Sequence, residues 1–238
     1  MKILSVDCSA VACSAAITEN ERIIASAFIN VKLTHSQTLI PMIEGLFKVS
    51  TVGLDKIDGF AISAGPGSFT GIRIGISAVK GLAAAKRLPC AGVSTLLAMA
   101  YNYIDTDCII CSVMDARCNQ VYNAMFDIEG GKIGRICDDR ALMCEELAEE
   151  IKKISQTSDK RVIIIGDGAE LFYEFVKDLE NVCIAAPERR YQSAVGVAAA
   201  AKPLFEQGKA SPPEALMPVY LRLPQAEREL KLKRSKEK

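Results

Sequence analysis

The chain has 238 residues with 29 lysines plus arginines against 29 aspartates plus glutamates, and half of its residues are hydrophobic. That length suits one large domain or two of about 100–120 residues, and the zero charge balance argues against a protein that grips nucleic acid through a broad basic surface. Nine scattered cysteines, an odd number, do not describe a secreted disulfide framework and fit reduced, mostly buried thiols.

In chain order, the start "MKILSVDCSA" is a poor signal peptide, with one lysine and an apolar run broken by Asp7. "KILSVDCS", "ACSAAITEN" and "RIIASAFIN" predict three short strands. "HSQTLIPMIEGLFKVS" predicts a helix with Leu39, Ile43 and Leu46 on one face and Ser36 as N-cap. A strand "DGFAISAG", a helix "GIRIGISAVKGLAAAKRL", a strand "PCAGVS" and a further helical stretch follow. The longest charge-free run, Leu88 to Ile104, is too polar for a membrane span, so a cytoplasmic protein with no membrane partner is expected.

The second half repeats this order. "DCIICSVMDAR", "QVYNAMFDIE" and "KIGRICDD" predict three strands, the last two joined at Gly130–Gly131. "CEELAEEIKKIS" predicts an amphipathic helix with early acidic residues, "RVIIIGDG" a buried strand, "AELFYEFVKDL" a helix, "NVCIAA" a strand and "SAVGVAAAAKPLFEQG" a last helix. A repeated order of elements predicts two similar α/β lobes. We expect an N-terminal lobe over 1–103, a C-terminal lobe over 104–224 and a basic tail over 225–238. The duplicated pattern resembles the RNase H-like lobes of the actin, sugar-kinase and Hsp70 (ASKHA) group. Asp7 and Asp115 then end the first strand of each lobe, and "DCSAVACSAA" sits where that group places a phosphate-contacting hairpin. Two readings stay open: strand-end aspartates that cap turns, or a nucleotide cleft made by Asp7, Ser9, Asp115 and the Gly166-Asp167-Gly168 loop.

The loop "SAGPGSFTGIRIG" invites a phosphate-loop reading, but Gly71 is followed by Ile72 and Arg73, so the Walker lysine is missing. Gly65-x-Gly67-x-x-x-Gly71 is one residue too long for the Rossmann spacing. The helix beyond it carries Gly71, Gly75 and Ala78 on one stripe and Gly81 and Ala85 on a neighbouring one. Helix-interior glycine costs about 1 kcal/mol relative to alanine, so another backbone is expected to come close. It is either that of a packed interior helix pair or that of a subunit partner docking on Leu39, Ile43, Leu46, Gly71, Gly75, Ala78 and Leu82. On the second reading, Gly75→Arg abolishes docking and leaves the fold intact.

"CIIC" on a strand points Cys108 and Cys111 to opposite faces, and Cys118 stands alone, so these are core thiols and no metal site is expected. The single histidine, His35, excludes any site built on two imidazoles and reads as a turn or pre-cap residue. The segment "AERELKLKRSKEK" carries six lysines and arginines against three glutamates, a solvated terminus by default.

"MKILSVDCS", "GPGSFTGIRIG" and "PVYLRLPQAER" together resemble the TsaB (YeaZ) family of the bacterial machinery that makes threonylcarbamoyladenosine on tRNA. The resemblance spans nearly the whole chain and departs at "DCSA", where the family more often has Asp-Thr-Ser. It implies the two-lobed ASKHA fold and a non-catalytic role beside a paralogue, TsaD, which carries two metal-binding histidines four residues apart. The matching positions here are Thr95 and Met99. It further implies an ATPase partner, TsaE, homodimers when the chain is alone, tRNA contact at most indirect, no cofactor for the isolated chain and ATP or ADP only within the complex. The alternative from another class is an independent ATP-dependent phosphotransferase of the same superfold.

Overall fold

The computed structural model describes residues 1–222; the tail expectation over 225–238 lies outside the described residues. Strands β1 (Lys2–Asp7), β2 (Cys13–Glu19) and β3 (Arg22–Ile29) form an antiparallel meander, followed by helix α1 (His35–Ser50). Strand β4 (Gly59–Gly65), helix α2 (Phe69–Ala84), strand β5 (Cys90–Ser94) and helix α3 (Thr95–Ala100) complete the first half. The second half runs β6 (Cys108–Asp115), β7 (Gln120–Glu129), β8 (Lys132–Met143), α4 (Cys144–Thr157), β9 (Val162–Ile165), α5 (Ala169–Tyr173), β10 (Val182–Ile184), α6 (Pro187–Arg190) and α7 (Ala194–Glu206).

The two sheets have one topology: β3-β2-β1-β4-β5 and, read in the same sense, β8-β7-β6-β9-β10. In each, the first strand pairs antiparallel with the second and parallel with the fourth; Leu4 lies beside Phe60, and Ile110 beside Ile163. These central strands are buried on both faces, which is why they read as continuous apolar runs rather than as alternation. On the first sheet, Leu4, Val6 and Ile62 pack under α1 and α2. Its other face, with Ile3, Ala61 and Val93, meets Val197, Ala200 and Ala201 of α7. The second sheet is covered on one face by α4 and α5 and on the other by Leu96, Met99 and Ala100 of α3. The last helix of each half therefore covers the other half's sheet. The α3–α7 contact is tight: a Cβ on Gly196 would lie 2.2 Å from the Ala98 carbonyl oxygen. No helix among the described residues is long and apolar enough to cross a membrane.

Several sequence expectations need correction. Thr34, not Ser36, is the N-cap of α1; it makes no side-chain capping bond, and Ser36 Oγ instead donates to Thr34 Oγ1 at 3.2 Å. The helix expected over "AELFYEFVKDL" stops at Tyr173, because Phe175, Val176 and Leu179 donate to the third residue back rather than the fourth. Strand β8 runs on to Met143 beyond its expected end at Asp139.

The largest correction concerns the expected docking face. Leu39, Ile43 and Leu46 are 1–3% exposed and belong to the core beneath α1, and Gly71 and Gly75 are buried. The groups that approach Gly71 and Gly75 of α2 are the chain's own. A Cβ on Gly71 would lie 2.1 Å from the carbonyl oxygen of Cys8, and one on Gly75 2.8 Å from Ile62 Cδ1 and 3.3 Å from Cys8 Cβ. Gly75→Arg would therefore disrupt the fold rather than leave it intact. Ala78 and Leu82 are half-buried at the rim of the core cluster. The stripe formed by Ile74, Ala78, Gly81 and Ala85 is the more exposed one, and nothing lies within 4 Å of a Cβ built on Gly81. Cys108 and Cys111 do fall on opposite faces of β6, in separate apolar clusters, whereas Cys118, expected with them as a core thiol, is exposed in the turn after β6.

Candidate functional site

A cleft of about 850 Å³ opens where the two β-hairpin turns, the loop before α2 and the last described residues converge. The pseudo-repeat brings these turns together, since β1 and β6 occupy equivalent central positions and both end at this side.

The residues expected to line a nucleotide cleft divide into three groups. Ser9, Asp115 and Asp167 line it. Asp7 lies behind it in the core, 1% exposed; its Oδ1 accepts from the Ser9 amide at 2.9 Å and the Ser9 hydroxyl at 2.7 Å. Its Oδ2 is buried without a partner, and burial pushes the carboxyl above the usual carboxylate range against the pull of the Ser9 bonds. Gly166 and Gly168 do not line the cleft but shape its floor. Gly166 has φ +108°, and a Cβ there would lie 2.0 Å from the Val113 carbonyl oxygen; a Cβ on Gly168 would lie 2.8 Å from the Asp115 nitrogen. Only glycine lets this turn press against the end of β6 and set Asp167 beside Asp115.

Asp115 itself is exposed and closes a turn by accepting from the Arg117 amide at 2.7 Å. Asp167 Oδ1 accepts from Gln192 Nε2 at 2.5 Å. Burial, helped by the charges of Asp115 and Asp7, raises the Asp167 carboxyl to about 6 despite that bond. A carboxyl raised in the folded state holds its proton more tightly than in the unfolded chain. Its contribution to stability is therefore greatest below the unfolded value and is lost as pH rises through the folded one. Stability is expected to fall between about pH 4 and pH 6 by about 1–2 kcal/mol from this group, allowing for its partial exposure. Asp167→Asn should remove that share of the slope in urea melts and be the more stable protein at neutral pH. An unchanged slope would refute the assignment.

The loop before α2 is structural. Ser68 caps α2, its hydroxyl accepting from the Gly71 amide at 3.2 Å, and the Ser68 amide donates to the Ser9 carbonyl at 2.6 Å. The Ser9 and Arg117 amides are likewise taken within the chain, by the carboxylates of Asp7 and Asp115.

Tyr220, Leu221 and Arg222 belong to the "PVYLRLPQAER" stretch of the family resemblance and carry no further local signal. In the structure they form one wall of the cleft and join its two sides. The Val219 amide donates to the Ala64 carbonyl at 2.7 Å, and Tyr220 stacks on Phe69 with centroids 4.5 Å apart. Arg73 Nε donates to the Tyr220 hydroxyl at 2.8 Å while the guanidinium lies 3.7 Å above the Phe69 ring. Arg222 Nη1 donates to the Ala116 carbonyl at 2.6 Å, in the second hairpin turn.

His35, expected at a turn, is the first residue of α1 and buried, with Nε2 on the Ala10 carbonyl at 2.8 Å. Thr95 and Met99 are fully buried in α3.

The family model described as TsaD, tRNA N6-adenosine threonylcarbamoyltransferase, matches residues 23–229. The chain is 31% identical over 224 residues to the tRNA threonylcarbamoyladenosine biosynthesis protein TsaB of Escherichia coli (strain K12), covering 93% of this chain and 95% of that one. The solved structure of YeaZ from Pseudomonas aeruginosa superimposes with a TM-score of 0.76 at 27% identity, over 92% of this chain and 99% of that one. Component A of (R)-2-hydroxyglutaryl-CoA dehydratase from Acidaminococcus fermentans shares the fold alone, with a TM-score of 0.51 at 11% identity over 88% of this chain and 99% of that one. Two five-stranded sheets of one topology, a match to the TsaD model over most of the chain and near-full-length likeness to TsaB show that this chain belongs to the TsaB family, with the actin, sugar-kinase and Hsp70 superfold.

Proposed function

We propose that this chain is a non-catalytic subunit of the tRNA threonylcarbamoyladenosine assembly that docks on the catalytic subunit TsaD and, through the complex, works with the ATPase TsaE. The observation that carries this reading is the content of α3. On the family resemblance, the positions that correspond to the metal-binding histidines of TsaD are Thr95 and Met99, both 0% exposed inside the core. Neither side chain replaces an imidazole ligand, and the chain's one histidine lies in α1. A protein that keeps the family fold without that ligand pair has partner binding, not transfer, as its remaining role in the reaction.

The surface assigned to TsaD is the outward side of the α1–α2 pair. It comprises Ile40, 41% exposed, together with Ala78, Leu82 and the open position at Gly81. An exposed glycine inside a helix, with free space above it, weakens the isolated chain and permits close approach of a partner helix. The same surface serves for the homodimer when the chain is alone, consistent with self-pairing and paralogue-pairing by one patch. Tryptophan-free and compact, the chain is suited to calorimetric titration with purified TsaD, where a saturable one-to-one complex is expected. Titration of the isolated chain with ATP and magnesium should give no tight binding and no turnover. Turnover there would instead support the phosphotransferase reading.

A further inference from the structure

The β1–β2 turn and the start of α1 hold three soft metal-ligand side chains in one buried place. The β1–β2 ladder pairs Asp7 with Ser14, so the next pair outward sets Cys8 opposite Cys13 at the mouth of the hairpin. Both thiols are 1% exposed, and their sulfurs lie 3.7 Å apart. His35 reaches the same place from α1, and the ligand atoms of the three residues all lie within 4.8 Å of one another. Among the described residues this is the one such group of three.

Three features of the group point to a ligand rather than to ordinary core packing. Two thiolates bound to zinc at about 2.3 Å and a tetrahedral angle stand about 3.8 Å apart, the spacing found here without a disulfide. His35 Nε2 lies 2.8 Å from the carbonyl of Ala10, within the turn that separates the two cysteines. Donation from Nε2–H to that carbonyl fixes the tautomer and leaves Nδ1 with a free lone pair, the arrangement that orients a metal-binding imidazole. Nδ1 is buried and has no hydrogen-bond partner, although the residue is only 9% exposed. Packing offers it only the weak S–H donor of the neighbouring Cys13; a cation held between Nδ1 and the sulfurs satisfies it fully.

The ring is also held in place, since a Cβ on Gly71 would lie 3.0 Å from His35 Cδ2. Charge closes the argument: one divalent cation with two thiolates and a neutral imidazole is electrically neutral, so the group can sit in the core without a stranded charge.

We propose that Cys8, Cys13 and His35 form a binding site for one zinc ion per chain, with both sulfurs and Nδ1 as ligands and a fourth position left open. Binding releases the two thiol protons as two zinc–sulfur bonds form, with no change of oxidation state. The ion ties the β1–β2 turn to the first turn of α1, at the wall of the cleft that His35 lines.

The test uses the full chain, reduced and stripped of metal, with cobalt(II) as optical probe and zinc as competitor. Thiolate-to-cobalt charge-transfer absorption should saturate at one equivalent and be abolished by one equivalent of zinc, and native mass spectrometry should show a single bound metal. Cys8→Ser and Cys13→Ser should each remove much of the charge-transfer band, and His35→Ala should alter the visible cobalt bands. Each should weaken zinc binding at least about tenfold. Cys118→Ser, at the exposed thiol, should change nothing. Absence of the band in the reduced wild-type chain at one equivalent would overturn the proposal, independently of whether any variant folds. So would a band that survives in Cys8→Ser and Cys13→Ser but disappears in Cys118→Ser.

Discussion

Gly81→Arg is expected to abolish assembly with TsaD while leaving the isolated chain at least as stable as the wild type. The position lies inside α2, is exposed, and has no atom within 4 Å of where a Cβ would stand. Replacing glycine by a good helix former should add about 0.5–1 kcal/mol of stability. A long charged side chain in the middle of a docking face must then be buried without a partner or hold the two surfaces apart. We expect affinity to fall at least a hundredfold, about 2.7 kcal/mol or more. Calorimetry with TsaD and a thermal melt of the free chain read the two effects separately. A variant that bound normally would move the docking surface elsewhere; one that failed to fold would contradict the open space above Gly81.

Gly71→Ala has the opposite signature. The added methyl carbon would stand 2.1 Å from a backbone carbonyl oxygen, that of Cys8, which cannot rotate aside as a side-chain end can. The helix or the β1–β2 turn must shift, at a cost of about 3 kcal/mol, lowering Tm by about 10 °C. Gly81→Ala, ten residues on in the same helix, should instead raise Tm slightly. The pair of melts separates a glycine kept for internal packing from one kept for an outer surface. Equal effects at the two positions would refute that distinction.

The fold was legible because its evidence is local and repeated. Apolar runs of strand length, the Gly130–Gly131 turn and the doubled element order each depend on neighbours within a few residues. The docking face was not legible, because periodicity shows which residues share a stripe but not which stripe faces inward. In α2 the apolar and small residues surround most of the helix, so Gly75 and Gly81 look alike in sequence and differ only in what lies above them. The cleft wall was hidden by distance along the chain. Arg73 meets Tyr220 across 147 positions and Arg222 meets Ala116 across 106, and neither pair leaves a local pattern. The cysteine–histidine group was missed for a related reason. Cys8 and Cys13 sit at strand ends where small apolar residues are ordinary, and only the α1 packing brings His35 onto them. The one available signal was that the chain's single histidine stands at the start of a helix following a hairpin with a cysteine on each arm.

Reconstitution tests the central claim most directly. TsaD, TsaE, the adenylate-forming enzyme, ATP, threonine, bicarbonate and unmodified tRNA would be assayed for threonylcarbamoyladenosine with and without this chain. The expected result is modification that requires this chain, is lost with Gly81→Arg and is retained with Asp167→Asn. Modification at the same rate in its absence, or threonylcarbamoyl transfer by this chain without TsaD, would contradict the assignment of a non-catalytic docking subunit.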